Sequence, residues 1–264
     1  MSTELETLVV ERAAGVVTVT LNRPHRKNAA NGTMWRELRA TLEEVAAARE
    51  DRVLVLAGAG DAFCSGADLG DPSDVAGRPG DPHLVQMRAL ADVALRLHRL
   101  PKPTIAKVGG IAAGAGMSMA LGCDLVVASD RARFSQIFAK RGLSVDFGAS
   151  WLLPRLVGLH RAKELAFFAD IIDAATAASI GVVNRVVPAA ELDAVVSEWA
   201  SRLAAGPPLA LSMTKALLNQ SASVSMEQAL EAEAQAQAVN FGSRDTREAI
   251  AAFVEKRDPV FEGD

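Results

Sequence analysis

Two β-branched runs near the start, Leu8-Val9-Val10 and Val16-Val17-Thr18-Val19-Thr20-Leu21, flank residues 11–15 and predict an antiparallel hairpin. The period then changes. Over residues 33–48 the apolar positions Met34, Trp35, Leu38, Leu42 and Val45 recur three and four apart, which predicts a helix with one buried face. Val53-Leu54-Val55-Leu56 follows as a short buried strand. The cycle repeats through a polar stretch at 58–82, a helix over 84–99 and a strand over 104–108. A further helix ending near Leu121 and a strand over 125–128 complete the pattern. Alternation of this kind predicts an α/β fold built from repeated βα or ββα units.

Beyond residue 132 helical spacing takes over, at 151–157, 162–168, 192–204, 209–218 and 226–241. One strand-like segment, 182–187, interrupts it and stops before Pro188. The expected organisation is a core over residues 1–200 and a helical region over 201–264 that belongs to the same functional unit. Residues 71–82, rich in Pro, Gly and Asp, predict a loop lying over the site.

Composition narrows the class of partner. Half of the 264 residues are apolar, enough for a substantial core, and the net charge is −4. No block of Lys or Arg offers a footprint for nucleic acid or a membrane surface, so small molecules are the expected partners. The longest uncharged run, 108–123, is shorter than the roughly 20 residues a membrane span requires. Cys64 and Cys123 are the only cysteines and form neither a CxxC pair nor a Cys/His cluster, which predicts a reducing, cytoplasmic setting and no metal site.

Two loops carry the candidate chemistry. Gly109-Gly110-Ile111-Ala112-Ala113-Gly114-Ala115-Gly116 is read as a turn ahead of a helix, and Ala62-Phe63-Cys64-Ser65-Gly66-Ala67-Asp68-Leu69 as a similar loop after a strand. Each offers small residues whose N–H groups can meet a ligand, and two converging N–H groups make an oxyanion hole. The same small residues could instead serve close helix packing. Neither the P-loop spacing nor Gly-x-Gly-x-x-Gly is present, which disfavours a nucleotide cradle. The four histidines, His25, His83, His98 and His160, are scattered and pair with no nucleophile motif.

The segments AFCSGADL, GGIAAGAGMSMALGCDLVVAS and FSQIFAKRGLSVDFGASWLLPRLVG resemble successive signatures of the crotonase (enoyl-CoA hydratase/isomerase) superfamily. LNRPHRKNA near the start and AIAAFVEKRDPVF near the end also fit, so the resemblance spans the chain. It implies a crotonase-like ββα spiral core with a helical C-terminal trimerisation region, assembled as a homotrimer or a hexamer. It implies an acyl-CoA thioester as substrate, coenzyme A entering as part of that substrate with no permanently bound cofactor. The N–H groups of Ala67 and Ala115 would hold the thioester oxygen. Arg26, Lys27 and Ala29, with Ser65, Gly66, Ala67, Asp68 and Leu69 and the second-loop residues Ile111, Gly114 and Ala115, would form the CoA wall. Phe253 and Lys256 would close over the CoA end, often from a neighbouring subunit. An ordinary solvated charge is the alternative for Arg26, Lys27 and Lys256.

A typical hydratase of this superfamily uses two glutamates, and the matching positions are Ser118 and Phe138. Neither can carry a proton as a carboxylate does. Asp146, in Gly142-Leu143-Ser144-Val145-Asp146-Phe147-Gly148, stands where isomerases of the superfamily carry an aspartate. It could cap the following helix or act as a desolvated base. The expected activity is isomerisation, with a hydratase lacking the glutamates or a silent acyl-CoA-binding subunit as alternatives.

Overall fold

The computed structural model describes residues 2–70 and 80–264. The expected loop at 71–82 lies mostly outside the described residues. The chain opens with β1 (Ser2–Glu4), β2 (Leu8–Ala13) and β3 (Val16–Leu21). The β2–β3 connection is two residues, Ala14 and Gly15, both at positive φ, as tight hairpins require. Asn31 caps α1 (Gly32–Ala47) by accepting the Met34 N–H at 3.0 Å, worth about 1 kcal/mol. Helix α1 buries Met34, Trp35, Leu38, Leu42 and Val45, the stripe seen in the sequence.

Three ββα-type repeats follow. The first is β4 (Val53–Gly58), β5 (Ala62–Cys64) and α2 (His83–His98). The second is β6 (Thr104–Val108), β7 (Ile111–Ala113) and α3 (Ala115–Gly122). The third begins with β8 (Leu125–Ser129) and β9 (Arg133–Ser135), then α4 (Ala149–Val157) and α5 (Leu159–Phe168). In each, the longer strand joins one sheet and the shorter strand another. The larger sheet has the order β1-β2-β3-β4-β6-β8-β11 and is parallel from β3 onward, β11 being Arg185–Val187. The smaller runs β10-β9-β7-β5, with β10 at Ile172–Asp173.

Short strands escaped the sequence pattern, since three residues cannot display a period. The stretch expected as a turn over 109–116 is therefore corrected: Ile111–Ala113 is strand β7, and only Gly114 breaks it from α3. The chain goes on through α6 (Ala174–Ser179) and α7 (Leu192–Ala204), which covers the outer face of the large sheet. There Val195, Val196 and Ala200 pack with Val53, Val55, Ile105 and Val127. The main core lies on the inner face, among α1, α2, α3 and the small sheet.

Helices α8 (Pro208–Gln220), α9 (Met226–Gly242) and α10 (Arg244–Glu255) close the chain. Helix α8 is tied to the core by Lys215, whose ammonium meets Asp124 at 2.8 Å, and by Asn219, which donates to the His98 carbonyl. Helices α8 and α9 bury no residue fully, and Leu230, Val239, Phe241, Phe253 and Val254 are exposed. No helix among the described residues is long and apolar enough to cross a membrane.

Candidate active site

The two loops meet because glycine lets them. A Cβ added to Gly110 would lie 1.9 Å from the Asp61 carbonyl oxygen, and one on Gly116 would lie 2.1 Å from that of Cys64. Each position is a close approach that only glycine permits. Gly114 has another reason: at φ 53°, ψ −127° it turns the chain from β7 into α3 in a conformation essentially confined to glycine. Close packing thus accounts for Gly110 and Gly116, and a backbone turn for Gly114. Gly116→Ala should lower stability by about 1–3 kcal/mol, whereas Gly109→Ala, which meets only a Leu192 methyl at 3.7 Å, should stay within about 0.5 kcal/mol. Urea unfolding midpoints check both.

Ala67 forms a parallel bridge with Ala30: the Ala30 N–H donates to the Gly66 carbonyl at 2.8 Å, and the Asp68 N–H donates to the Ala30 carbonyl at 2.8 Å. That alternation sends the Ala67 N–H to the opposite side. Ala115 is the first residue of α3, so no carbonyl of its own helix reaches its N–H. Neither N–H has a hydrogen-bond partner among the described residues. A Cβ on Gly66 would sit 3.0 Å from the Ala113 carbonyl and 3.8 Å from the Ala115 nitrogen, which places the two loops side by side. Two open donors on adjacent loops, one at a positive helix end, are the kind of groups that stabilise developing negative charge on oxygen.

Residues 26–29 border the first of these loops. The Ser65 N–H donates to the Lys27 carbonyl at 3.0 Å and its hydroxyl to the Arg26 carbonyl, so Ser65 serves the loop rather than facing outward. Lys27 pairs with Asp61. Asp68 pairs with Arg23 at 2.8 Å and accepts the Gly70 N–H; that N–H and Arg23 hold its carboxyl below the usual range. Arg23 also donates to the Ala29 carbonyl and so ties the two segments together. Buried Asn28, at φ 54°, donates to the carbonyls of Ala59 and Ala62 at 2.8 and 2.9 Å. Asn28 lies in the 26–29 segment that the resemblance assigns to the CoA wall, whereas Arg23, also within LNRPHRKNA, carries no signal in the sequence.

Leu69 is exposed, Ile111 is half-buried in β7, and Phe253 stands 85% exposed on α10. Lys256 is the left-handed C-cap of α10. No hydrogen bond or ion pair joins Phe253 or Lys256 to the loops among the described residues. Cys64 and Cys123 are buried, and burial pushes their thiols up to about 11 and 12, which makes both inert.

The far wall comes from the segment between β9 and α4. The Ser135 carbonyl accepts the Gly114 N–H at 2.9 Å, and the Phe138 ring lies 3.7 Å from where a Gly114 Cβ would stand. Ser118 is fully buried and donates its hydroxyl back to the Gly114 carbonyl at 3.1 Å. That bond braces the loop. Gln136, also missed in the sequence, is fully buried with both amide atoms unpartnered among the described residues.

Asp146 does not cap α4. Gly148 is the N-cap, and only the Asp146 carbonyl is engaged, accepting the Ala149 N–H at 3.0 Å. The carboxyl is half-buried, its Oδ1 has no partner among the described residues, and burial alone raises its pKa to about 6. Of the two readings of Asp146, this leaves a desolvated carboxyl suited to exchanging protons near neutral pH.

The pattern of the family described as enoyl-CoA hydratase/isomerase matches residues 11–264. The chain belongs to that family. Its members act on acyl-CoA thioesters, and the fold is theirs. A 1,2-epoxyphenylacetyl-CoA isomerase of Escherichia coli is 38% identical over 94% of this chain and 95% of its own. A short-chain enoyl-CoA hydratase of Clostridium acetobutylicum is 34% identical over 96% and 97%. An enoyl-CoA hydratase crystal structure from Bacillus anthracis superposes with a TM-score of 0.91 at 31% identity, over 98% of this chain and all of that one. Relatives within the family thus carry both reaction names.

Proposed function

We propose that this enzyme is an acyl-CoA thioester isomerase that shifts a double bond by proton transfer. The observation that carries the reading is Asp146, a desolvated carboxyl with an open oxygen, on the same β9–α4 connection whose Ile137 and Phe138 lie against Gly114. Its ionised form takes a proton from a carbon beside the thioester carbonyl. The electron pair moves onto the carbonyl oxygen, where the N–H groups of Ala67 and Ala115 receive it. Asp146 then returns the proton to a different carbon, and the double bond has moved. Water takes no part. Phe138 keeps the wall beside Gly114 apolar.

Residues 26–29 and 65–69 form the CoA side in this reading, with Arg26 and Lys27 exposed toward its phosphates. The exposed apolar residues of α9 and α10 support assembly as a trimer or a hexamer, through which Phe253 and Lys256 reach a neighbouring site. A second reading is hydration, which the names of several relatives favour. Incubating 2- and 3-enoyl-CoA thioesters in ¹⁸O-labelled water separates the two. Isomerisation gives the shifted enoyl-CoA without ¹⁸O in the acyl chain; labelled 3-hydroxyacyl-CoA as the main product means hydration.

The base must be ionised to act. Since Asp146 titrates at about 6, log kcat/KM should be flat above that pH and fall by one unit per pH unit below it. A limb near pH 4 would remove Asp146 from the role.

A further inference from the structure

The backbone that carries Asp146 is itself unusual. Phe147 has φ +50° and Gly148 has φ +82°, ψ 0°, while the Asp146 carbonyl accepts the Ala149 N–H at 3.0 Å. Two successive left-handed residues closed by such a bond have the signature of a type I′ turn, which selects Gly, Asn or Asp at both central positions. Glycine fills the second. A bulky aromatic fills the first, where a side chain is strained, and such strain persists only when its surroundings over-determine it.

What over-determines it is Trp35. The Phe147 and Trp35 rings lie 5.3 Å apart at 31°, and each residue is only 4% exposed. Trp35 belongs to α1, whose own packing fixes it. On its other side Phe147 and Gly148 line a cleft of about 870 Å³ together with Leu95, His98, Trp151 and Lys215. The ring contact is therefore the anchor on the core side of a turn that faces open space on the other.

We infer that Trp35 and Phe147 are positioning residues for Asp146: their stack holds the turn left-handed and with it the half-buried placement of the carboxyl. The inference rests on Asp146 being the base, but the placement of its carboxyl can be read without turnover. Asp146→Asn assigns its signal in a ¹³C-aspartate NMR titration, followed in the wild type, Trp35→Leu, Phe147→Leu and Trp35→Phe. Trp35→Leu and Phe147→Leu, which remove the ring contact but keep a side chain at the strained position, should drop the Asp146 titration from about 6 toward the ordinary carboxylate range as the turn swings outward. With 3-hexenoyl-CoA they should lose about tenfold to hundredfold in kcat with KM within about threefold, and Trp35→Phe, which keeps a ring contact, should restore most of both. If Trp35→Leu and Phe147→Leu lower the melting temperature yet leave the titration and kcat at wild-type values, the stack only packs the core and the inference falls. If the titration moves as expected while Asp146→Asn retains full turnover, the positioning stands and the base assignment fails.

Discussion

Asp146→Asn is expected to lose about 10²- to 10⁴-fold in kcat, the range a positioned acid–base group contributes, while acyl-CoA affinity stays within a few-fold. The amide matches the carboxylate in shape, so the turn and the ring stack behind it are preserved. Only proton capacity is removed. The same variant should be more stable than the wild type at neutral pH, and the sign follows from burial. The carboxyl titrates at about 6 in the folded chain, above its ordinary 3.8, so the folded state holds the proton more tightly than the unfolded chain. Its favourable contribution is complete below about pH 3.8 and is lost as pH rises through about 6. Above that, keeping the charge in place costs on the order of 2–3 kcal/mol. Asparagine carries no such charge. The stability gain should thus be visible in urea unfolding at pH 8 and shrink to nothing near pH 4. Activity lost while stability rises is the expected mark of a residue kept for chemistry; lost activity with lower stability at pH 8 would make Asp146 a packing residue.

Ala115→Pro is expected to cost about 10²- to 10³-fold in kcat, the effect of deleting one oxyanion donor. A backbone N–H cannot be removed by altering a side chain, but proline removes it. Ala115 is the first residue of α3, the helical position where proline is best tolerated because that N–H has no partner in the helix. The variant should therefore remain folded. Chemical denaturation within about 1 kcal/mol of the wild type, together with the loss in kcat, would assign the effect to the missing donor. Unchanged kcat in the folded variant would take Ala115 out of the oxyanion hole.

The α/β class was legible because α1, α2 and the strands β3, β4, β6 and β8 are long enough to show their periods. Strands β5, β7, β9 and β10 were not, since two or three residues carry none, and they exist by pairing with segments distant in sequence. That explains why Ile111–Ala113 looked like part of a turn. The two loops were recognisable from their small residues, yet what Gly110, Gly114 and Gly116 each do depends on which carbonyl or ring lies opposite. Asp146 could be found as a lone carboxyl among apolar neighbours. Its setting could not: Gly148, not Asp146, takes the capping place, and Trp35, 112 positions before Phe147, gives no sign in the sequence that it meets that ring.

The most direct test follows a labelled proton. A 3-enoyl-CoA deuterated at C-2 should be converted by the wild type to 2-enoyl-CoA with the label moved to C-4 or released to solvent, and Asp146→Asn should do neither. Transfer or release undiminished in Asp146→Asn, or a 3-hydroxyacyl-CoA formed at the same rate by both enzymes, would contradict a double-bond shift carried by this one carboxylate.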